Sequence, residues 1–456
     1  MFRICSFLLF VFTLGAQPAD WIWSAHWVIT EDAAHRVIEN GAVAITAGRI
    51  VGVGTKSEID ARFQARQRLD RPDAILAPGL IDTHTHAAMS LFRGIADDKK
   101  LQDWLEHFIF PAEAKNVTPE FVRWGTRLGC LEMLLGGTTT FTDMYYYESV
   151  AAEVAKEAGM RGVLGETIIG FPVADAKTPA EALAFTERYL IRFRGDPLVV
   201  PAVAPHAIYT NSDETLKASR ALANKYHAPL LIHLAETKKE VDDSMAQRHM
   251  TPVQALDSLG VLNGRTVAAH CVWVNDADMA ILKSRNVGVA HCPSSNMMLG
   301  SGVAPVVKML ALGIHVGLGP DGPAGSNNDF NMFEEMDLAA KLQKVTHLDP
   351  TVLSAVTAMD MATIGGARVL GMEKDLGSLE PGKLADLITV RLDRPNAVPL
   401  YDAVSQMVYA LKAEDVRDVM VNGKPIVRDG RILTLNEPQI LEKAREYRVK
   451  VSQSLR

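Results

Sequence analysis

A chain of 456 residues with 48% hydrophobic and 22% charged content is long and apolar enough to bury a large core, which excludes an intrinsically disordered protein. The formal net charge of -7 is spread over interspersed charges with no run of Lys or Arg, so nucleic acid is excluded as a partner and a small molecule is expected instead. Four cysteines without the spacing of a metal knuckle, one of them Cys5 in an apolar leader, exclude a disulfide framework.

In chain order, Arg3 is followed by an apolar run over residues 4–14 and then by Gly15-Ala16-Gln17. This is the layout of a secretory signal, assigned here to residues 1–18, and the run is too short to make a stable membrane span. It predicts a periplasmic or secreted protein; a start codon further downstream is the alternative, with a cytoplasmic one. Residues 19–77 read as short strands punctuated by Gly41, Gly48 and Gly54. A second strand-rich stretch returns over residues 376–456, where Asn422-Gly423 marks a hairpin turn. The two ends are expected to pair into one composite β-sandwich.

Between them, residues 78–375 alternate apolar, β-branched runs with longer amphipathic stretches, the pattern of an α/β (β/α)8 TIM barrel. Eight runs end near His86, Asp143, Thr167, His206, Glu236, His270, Ser294 and Asp321. Polar residues thus recur where apolar strands stop. In such a barrel the C-terminal strand ends converge on the active site, so these residues point to chemistry rather than stability.

His84-Thr85-His86 after an apolar run places two imidazoles on one face of a strand. His233 ends a second run and Asp321 a third. Three imidazoles and one carboxylate suit one divalent ion, zinc above all, with iron or manganese as alternatives, and leave room for a water. A divalent ion lowers the pKa of water toward neutrality, and the reaction then needs groups that move protons. Glu236, three residues past His233, is placed to do so; Asp321 is a second proton acceptor, and His270 a hydrogen-bonding group that orients the nucleophile. The fourth strand, residues 198–206, has no lysine to bridge a second ion, which predicts one metal. The H-x-E with P-C-x-x-C pattern of unrelated zinc deaminases is excluded, because Cys292-Pro293 is followed by Ser294-Ser295.

These motifs, with Met89-Ser90-Leu91-Phe92-Arg93-Gly94, Pro111-Ala112-Glu113, Pro205-His206, His270-Cys271, Pro293-Ser294-Ser295-Asn296 and Ser326-Asn327-Asn328, resemble the amidohydrolase superfamily over nearly everything after residue 24. Within it the resemblance is to the methylthioadenosine/S-adenosylhomocysteine deaminases, with triazine hydrolases as cousins. It implies a barrel flanked by a β-sandwich, a metal on His84, His86, His233 and Asp321, and release of ammonia from the six-position of a purine nucleoside. It also implies substrate contacts from Glu113, on the ribose hydroxyls, and from His206. Trp104 is either pocket wall or core filler. A homo-oligomer is admitted.

Two departures from the family pattern bear on specificity. Glu166 stands where some members carry an arginine for the carboxylate of S-adenosylhomocysteine, which favours methylthioadenosine or adenosine. Pro320 precedes Asp321 where threonine is usual, removing a hydroxyl and a backbone donor beside the metal. The alternative enzyme is a related hydrolase of guanine-, pterin- or triazine-type rings, which needs no ribose contact. A catalytically silent scaffold is disfavoured because every ligand and Glu236 are present.

Overall fold

In the computed structural model the described residues are 16–455, so nearly all of the assigned signal, residues 1–15, lies outside them. Gln17 and Pro18 are already part of the first strand, which places the structured start two residues ahead of the expected boundary. Among the described residues, sixteen strands form two sheets. The first holds β1 (Gln17–Ile29), β2 (Val37–Thr46), β3 (Arg49–Thr55) and β4 (Phe63–Pro78) from the N-terminal end. It is completed by β13 (Leu387–Arg391), β14 (Val416–Val421), β15 (Lys424–Arg428) and β16 (Arg431–Ile432), in the order β16-β15-β14-β13-β4-β1-β2-β3.

The chain ends therefore meet in one mixed sheet, joined where β13 pairs antiparallel with β4. Alternation along β1 and β2 buries Trp23, Val43 and Ile45 on one face and Ile22, Ala42 and Ala44 on the other. Two strands are longer than their glycine punctuation suggests: β1 has 13 residues and β4 has 16, because they run parallel to each other along most of their length. The expected hairpin joins β14 to β15, with Asn422 at φ 50° and Gly423 at φ 74°, the left-handed geometry that an Asn-Gly turn supplies. A side chain at Gly423 would also meet the Cα of Gly48 at 2.5 Å.

The second sheet is the barrel: β5 (Leu80–Ile81), β6 (Thr138–Tyr145), β7 (Arg161–Ile168), β8 (Val199–Pro205), β9 (Leu230–Leu234), β10 (Thr266–His270), β11 (Gly288–His291) and β12 (Val316–Leu318). Each pairs parallel with the next, and a bridge between Asp82 and Leu318 brings the last strand back to the first. Every residue of β6, β7, β9 and β10 is buried, as expected of strands covered by helices outside and by the barrel interior within. Residues 437–454, expected in the β-rich unit, form instead a helix that packs on the barrel, with Tyr447 edge-on to Phe121 at 5.5 Å. Cys130, Cys271 and Cys292 are buried and free. Among the described residues, no helix is long and apolar enough to cross a membrane.

One buried ion pair ties the two sheets. Arg161, at the start of β7, donates to both oxygens of Asp386 at 3.0 and 3.2 Å, and both side chains are at most 5% exposed. Arg161→Ala strands the Asp386 charge and is expected to cost about 3–5 kcal/mol. A urea unfolding curve checks this through its midpoint.

Candidate active site

The irregular chain after β5 carries the first two histidines. His84 and His86 do not sit on a regular strand as the i, i+2 reading supposed. The barrel closes there through single bridges, Thr85 pairing with both Asp143 and Asp321, and Asp82 accepting the His84 N–H at 2.9 Å. Their rings nevertheless converge, 5.0 Å apart and nearly perpendicular. His233 comes from β9 and Asp321 from the turn after β12, where a left-handed backbone (φ 64°) swings its carboxylate inward. One ligand atom from each of the four lies within 4.8 Å of all the others.

The surroundings of the four set which atoms face inward. His86 Nδ1 meets the Met144 carbonyl at 2.7 Å and His233 Nδ1 the His206 carbonyl at 2.9 Å; a carbonyl only accepts, so Nδ1 holds a proton and Nε2 is the nitrogen turned toward the cluster. His84 Nε2 is buried without a hydrogen-bond partner. Asp321 Oδ1 stands 3.2 Å from Nε2 of both His84 and His86, and its Oδ2 accepts from Ser295 at 2.7 Å. Burial holds the His84 imidazole down to about 4. His86, although burial opposes it, is pulled up to about 9 by the Asp321 carboxylate. An anion that draws a proton onto its neighbour, beside an orphaned imidazole nitrogen, fits a centre built for a cation.

Glu236 follows on the loop after β9 and is 3% exposed. The loop turns through Ala235 (φ 50°), and Glu240 clamps it by accepting the N–H groups of Ala235 and Glu236, each at 2.9 Å. The Glu236 carboxylate accepts from Ser301 at 3.3 Å and lies 3.8 Å from His270 Nε2. Burial raises its pKa, the shift a carboxyl needs to take and return a proton near neutral pH. His270 ends β10 with its Nδ1 3.1 Å from the side-chain Oδ1 of Asn296, and its ring stacks on His233. His206 packs at 4.7 Å against His233, and burial lowers its pKa to about 3, so it is neutral.

All nine expected site residues except His84 line one pocket. Glu113 is not a solvated helix-end charge: it is 6% exposed and accepts from Tyr145 Oη at 2.7 Å and Tyr146 Oη at 3.3 Å. Burial pushes its carboxyl up to about 7. Trp104 is both wall and core, lining the pocket while its Nε1 donates to the Ala324 carbonyl at 2.9 Å. Leu101, Leu105, Ile109, Phe110 and Leu299 complete an apolar side.

The departures resolve differently from expectation. Glu166 does not line the pocket; its strand neighbour Thr167 does, and Glu166 turns away to accept the Glu148 N–H at 2.8 Å. Burial, together with Asp175, raises its pKa well above the carboxylate range, so it sets no negative charge against a substrate. The hydroxyl that Pro320 lacks is supplied to Asp321 by Ser295. Sequence reasoning missed Tyr145, Tyr146, Ser301 and Glu240, and it reached Ser295 only as part of the Pro293-Ser294-Ser295-Asn296 motif. The tyrosine run at the end of β6 was the available signal for the first two.

The family model described as "Amidohydrolase family" matches residues 75–426. The chain is 46% identical over 429 residues to 5-methylthioadenosine/S-adenosylhomocysteine deaminase 1 of Syntrophus aciditrophicus, covering 94% of this chain and 97% of that one. An adenosine deaminase from Xanthomonas campestris with bound zinc superposes with a TM-score of 0.94 at 39% identity, covering 96% and 100% of the two chains. An atrazine chlorohydrolase from Arthrobacter aurescens, complexed with zinc, gives 0.85 at 25% identity, covering 94% and 99%. A closed parallel barrel, a three-histidine and one-aspartate cluster at its C-terminal strand ends and a family match over most of the chain lead to one conclusion: the chain belongs to the amidohydrolase family.

Proposed function

We propose that this protein is a hydrolytic deaminase of adenosine-type nucleosides, such as 5'-methylthioadenosine and adenosine, that releases ammonia and leaves the inosine analogue. The observation that carries the reading is the polarity of the pocket. A proton-carrying carboxyl, Glu236, stands beside the ligand cluster, and a second buried carboxyl, Glu113, is held by two phenols in the same pocket. A purine ring needs the first and a ribose diol the second. The names of the relatives and of the zinc-bound neighbour support it.

His84, His86, His233 and Asp321 would hold one divalent ion, for which zinc suits the donor set. When bound, that ion supplies an acidified water at neutral pH. Around it, Glu236 takes one proton of the attacking water and passes it to the ring nitrogen next to the amino-bearing carbon. The other proton reaches the amino group, which leaves as ammonia while the ring carbon keeps the oxygen. His270, held by Asn296, orients the attacking oxygen, and Glu113 fixes the ribose.

The deciding measurement is ammonia release by metal-supplemented protein from methylthioadenosine, adenosine, S-adenosylhomocysteine, guanine and a triazine. Turnover of adenosine compounds sustains the reading; turnover of a free base or triazine alone replaces it with the heteroaromatic alternative. The riboside KM is also expected to depend on pH. Glu113 titrates at about 7, ionised above and protonated below, so its capacity to accept from a diol is lost as pH falls. KM should rise by about tenfold per unit below that point, and Glu113→Gln should remove the dependence while raising KM about tenfold. Steady-state kinetics from pH 5.5 to 8.5, roughly the range over which such a group changes charge, checks both.

We further propose that residues 1–16 are a cleaved export signal. The layout of the leader supports this, and a cut after Ala16 would leave β1 whole, since the strand begins at Gln17. Sequencing of the mature N-terminus from a periplasmic extract tests it.

A further inference from the structure

Residues 101–116 form one unbroken helix in three pieces: Leu101–Trp104 and Phe110–Asn116 are α-helical, and Leu105–Ile109 between them is a π turn. The widening is explicit in the backbone, where the Phe110 N–H donates to the carbonyl of Leu105, five residues back. Its cause is in the sequence. Pro111 has no N–H and its ring crowds the carbonyl four residues earlier, and a wider turn relieves the clash without ending the helix.

The turn changes which side chains share a face. In a regular α-helix Trp104 and Glu113, nine residues apart, would point about 180° away from each other. A π turn absorbs one extra residue and takes back about 100° of that rotation. Trp104, Leu105, Ile109, Phe110 and Glu113 accordingly all line the same pocket. Among the described residues, those lining it include no Lys or Arg.

We infer that this π turn is the register device of the substrate wall: it sets the ribose-binding carboxylate beside an apolar surface and so selects ribosides whose 5' substituent is uncharged. The inference rests on the nucleoside deaminase reading. With the purine at the ligand cluster and the diol on Glu113, the group on the 5' carbon meets Leu105, Ile109 and Phe110. A methylthio group buries there at no polar cost, whereas the zwitterionic amino-acid end of S-adenosylhomocysteine would lose its water against an apolar wall that offers its carboxylate no cationic partner.

The test uses the full, metal-loaded chain. Wild type is expected to favour methylthioadenosine over S-adenosylhomocysteine by about 100-fold in kcat/KM. Deleting His107, an exposed residue of the π turn that does not line the pocket, restores an α-helical register. It should lower kcat/KM for methylthioadenosine by about 100-fold with metal content unchanged. Leu105→Arg places a cation on the wall and should move the ratio toward S-adenosylhomocysteine by about tenfold; it decides the matter if the deletion variant fails to bind metal. Equal turnover of both substrates by wild type, or full activity in the metal-loaded deletion variant, overturns the inference while leaving the deaminase reading intact. No turnover of any nucleoside removes that reading, and the inference with it.

Discussion

Stripping the protein with a chelator will abolish ammonia release from adenosine compounds, and adding zinc back will restore it. The expectation follows from what the four ligands do without a cation. Asp321 Oδ1 is left between two imidazoles at 3.2 Å and draws a proton onto His86, while His84 Nε2 has no partner. These groups lie at most 13% exposed, so water cannot compensate them. Loss of the ion removes the means of acidifying water at neutral pH, and no other group in the pocket replaces it. The same experiment has a readout independent of activity: a ligand that binds only the folded state at about 100 times its Kd adds about 2.7 kcal/mol of stability. The melting temperature should therefore fall on chelation and recover with zinc. A chelated protein with unchanged activity and melting temperature would refute the metal centre.

Glu236→Gln should lower kcat by about 1000-fold with metal content intact. The amide keeps the size of the carboxylate, but it cannot take a proton from water and return it to a ring nitrogen. Its surroundings are built for the carboxyl: burial raises the pKa, Ser301 donates to it, and Glu240 pins the backbone through two N–H groups. Because the role proposed for Glu236 is on the moving proton, KM should change much less than kcat. A variant that loses KM and keeps kcat would make Glu236 a binding group and pass the proton role elsewhere.

The parts of the site that the sequence made legible share one property. His84, His86, His233, Glu236, His270 and Asp321 each follow an apolar run, and the topology of a parallel barrel sends all such ends to one rim. The irregular backbone at His84 and His86 does not prevent their rings from converging with His233 and Asp321, because convergence depends on the barrel closing rather than on local alternation. Glu166 failed for the opposite reason. It differs from Thr167 by one residue, and on a strand that single step decides whether a side chain enters the pocket or backs onto the neighbouring helix. Motif position alone does not carry that parity.

What the sequence by itself determined is the barrel, the pairing of the two chain ends and the gathering of His84, His86, His233 and Asp321 into one cluster that could hold a metal, since these follow from hydrophobic periodicity and from residue chemistry at strand ends. What only the tertiary structure decided is how distant segments complete one another. Tyr145 and Tyr146 hold Glu113 across 32 and 33 residues, Ser295 satisfies Asp321 across 26, and Ser301 reaches Glu236 across 65. Hydrogen bonds of that kind depend on distances of a few tenths of an ångström between elements, and no pattern along a single chain encodes them.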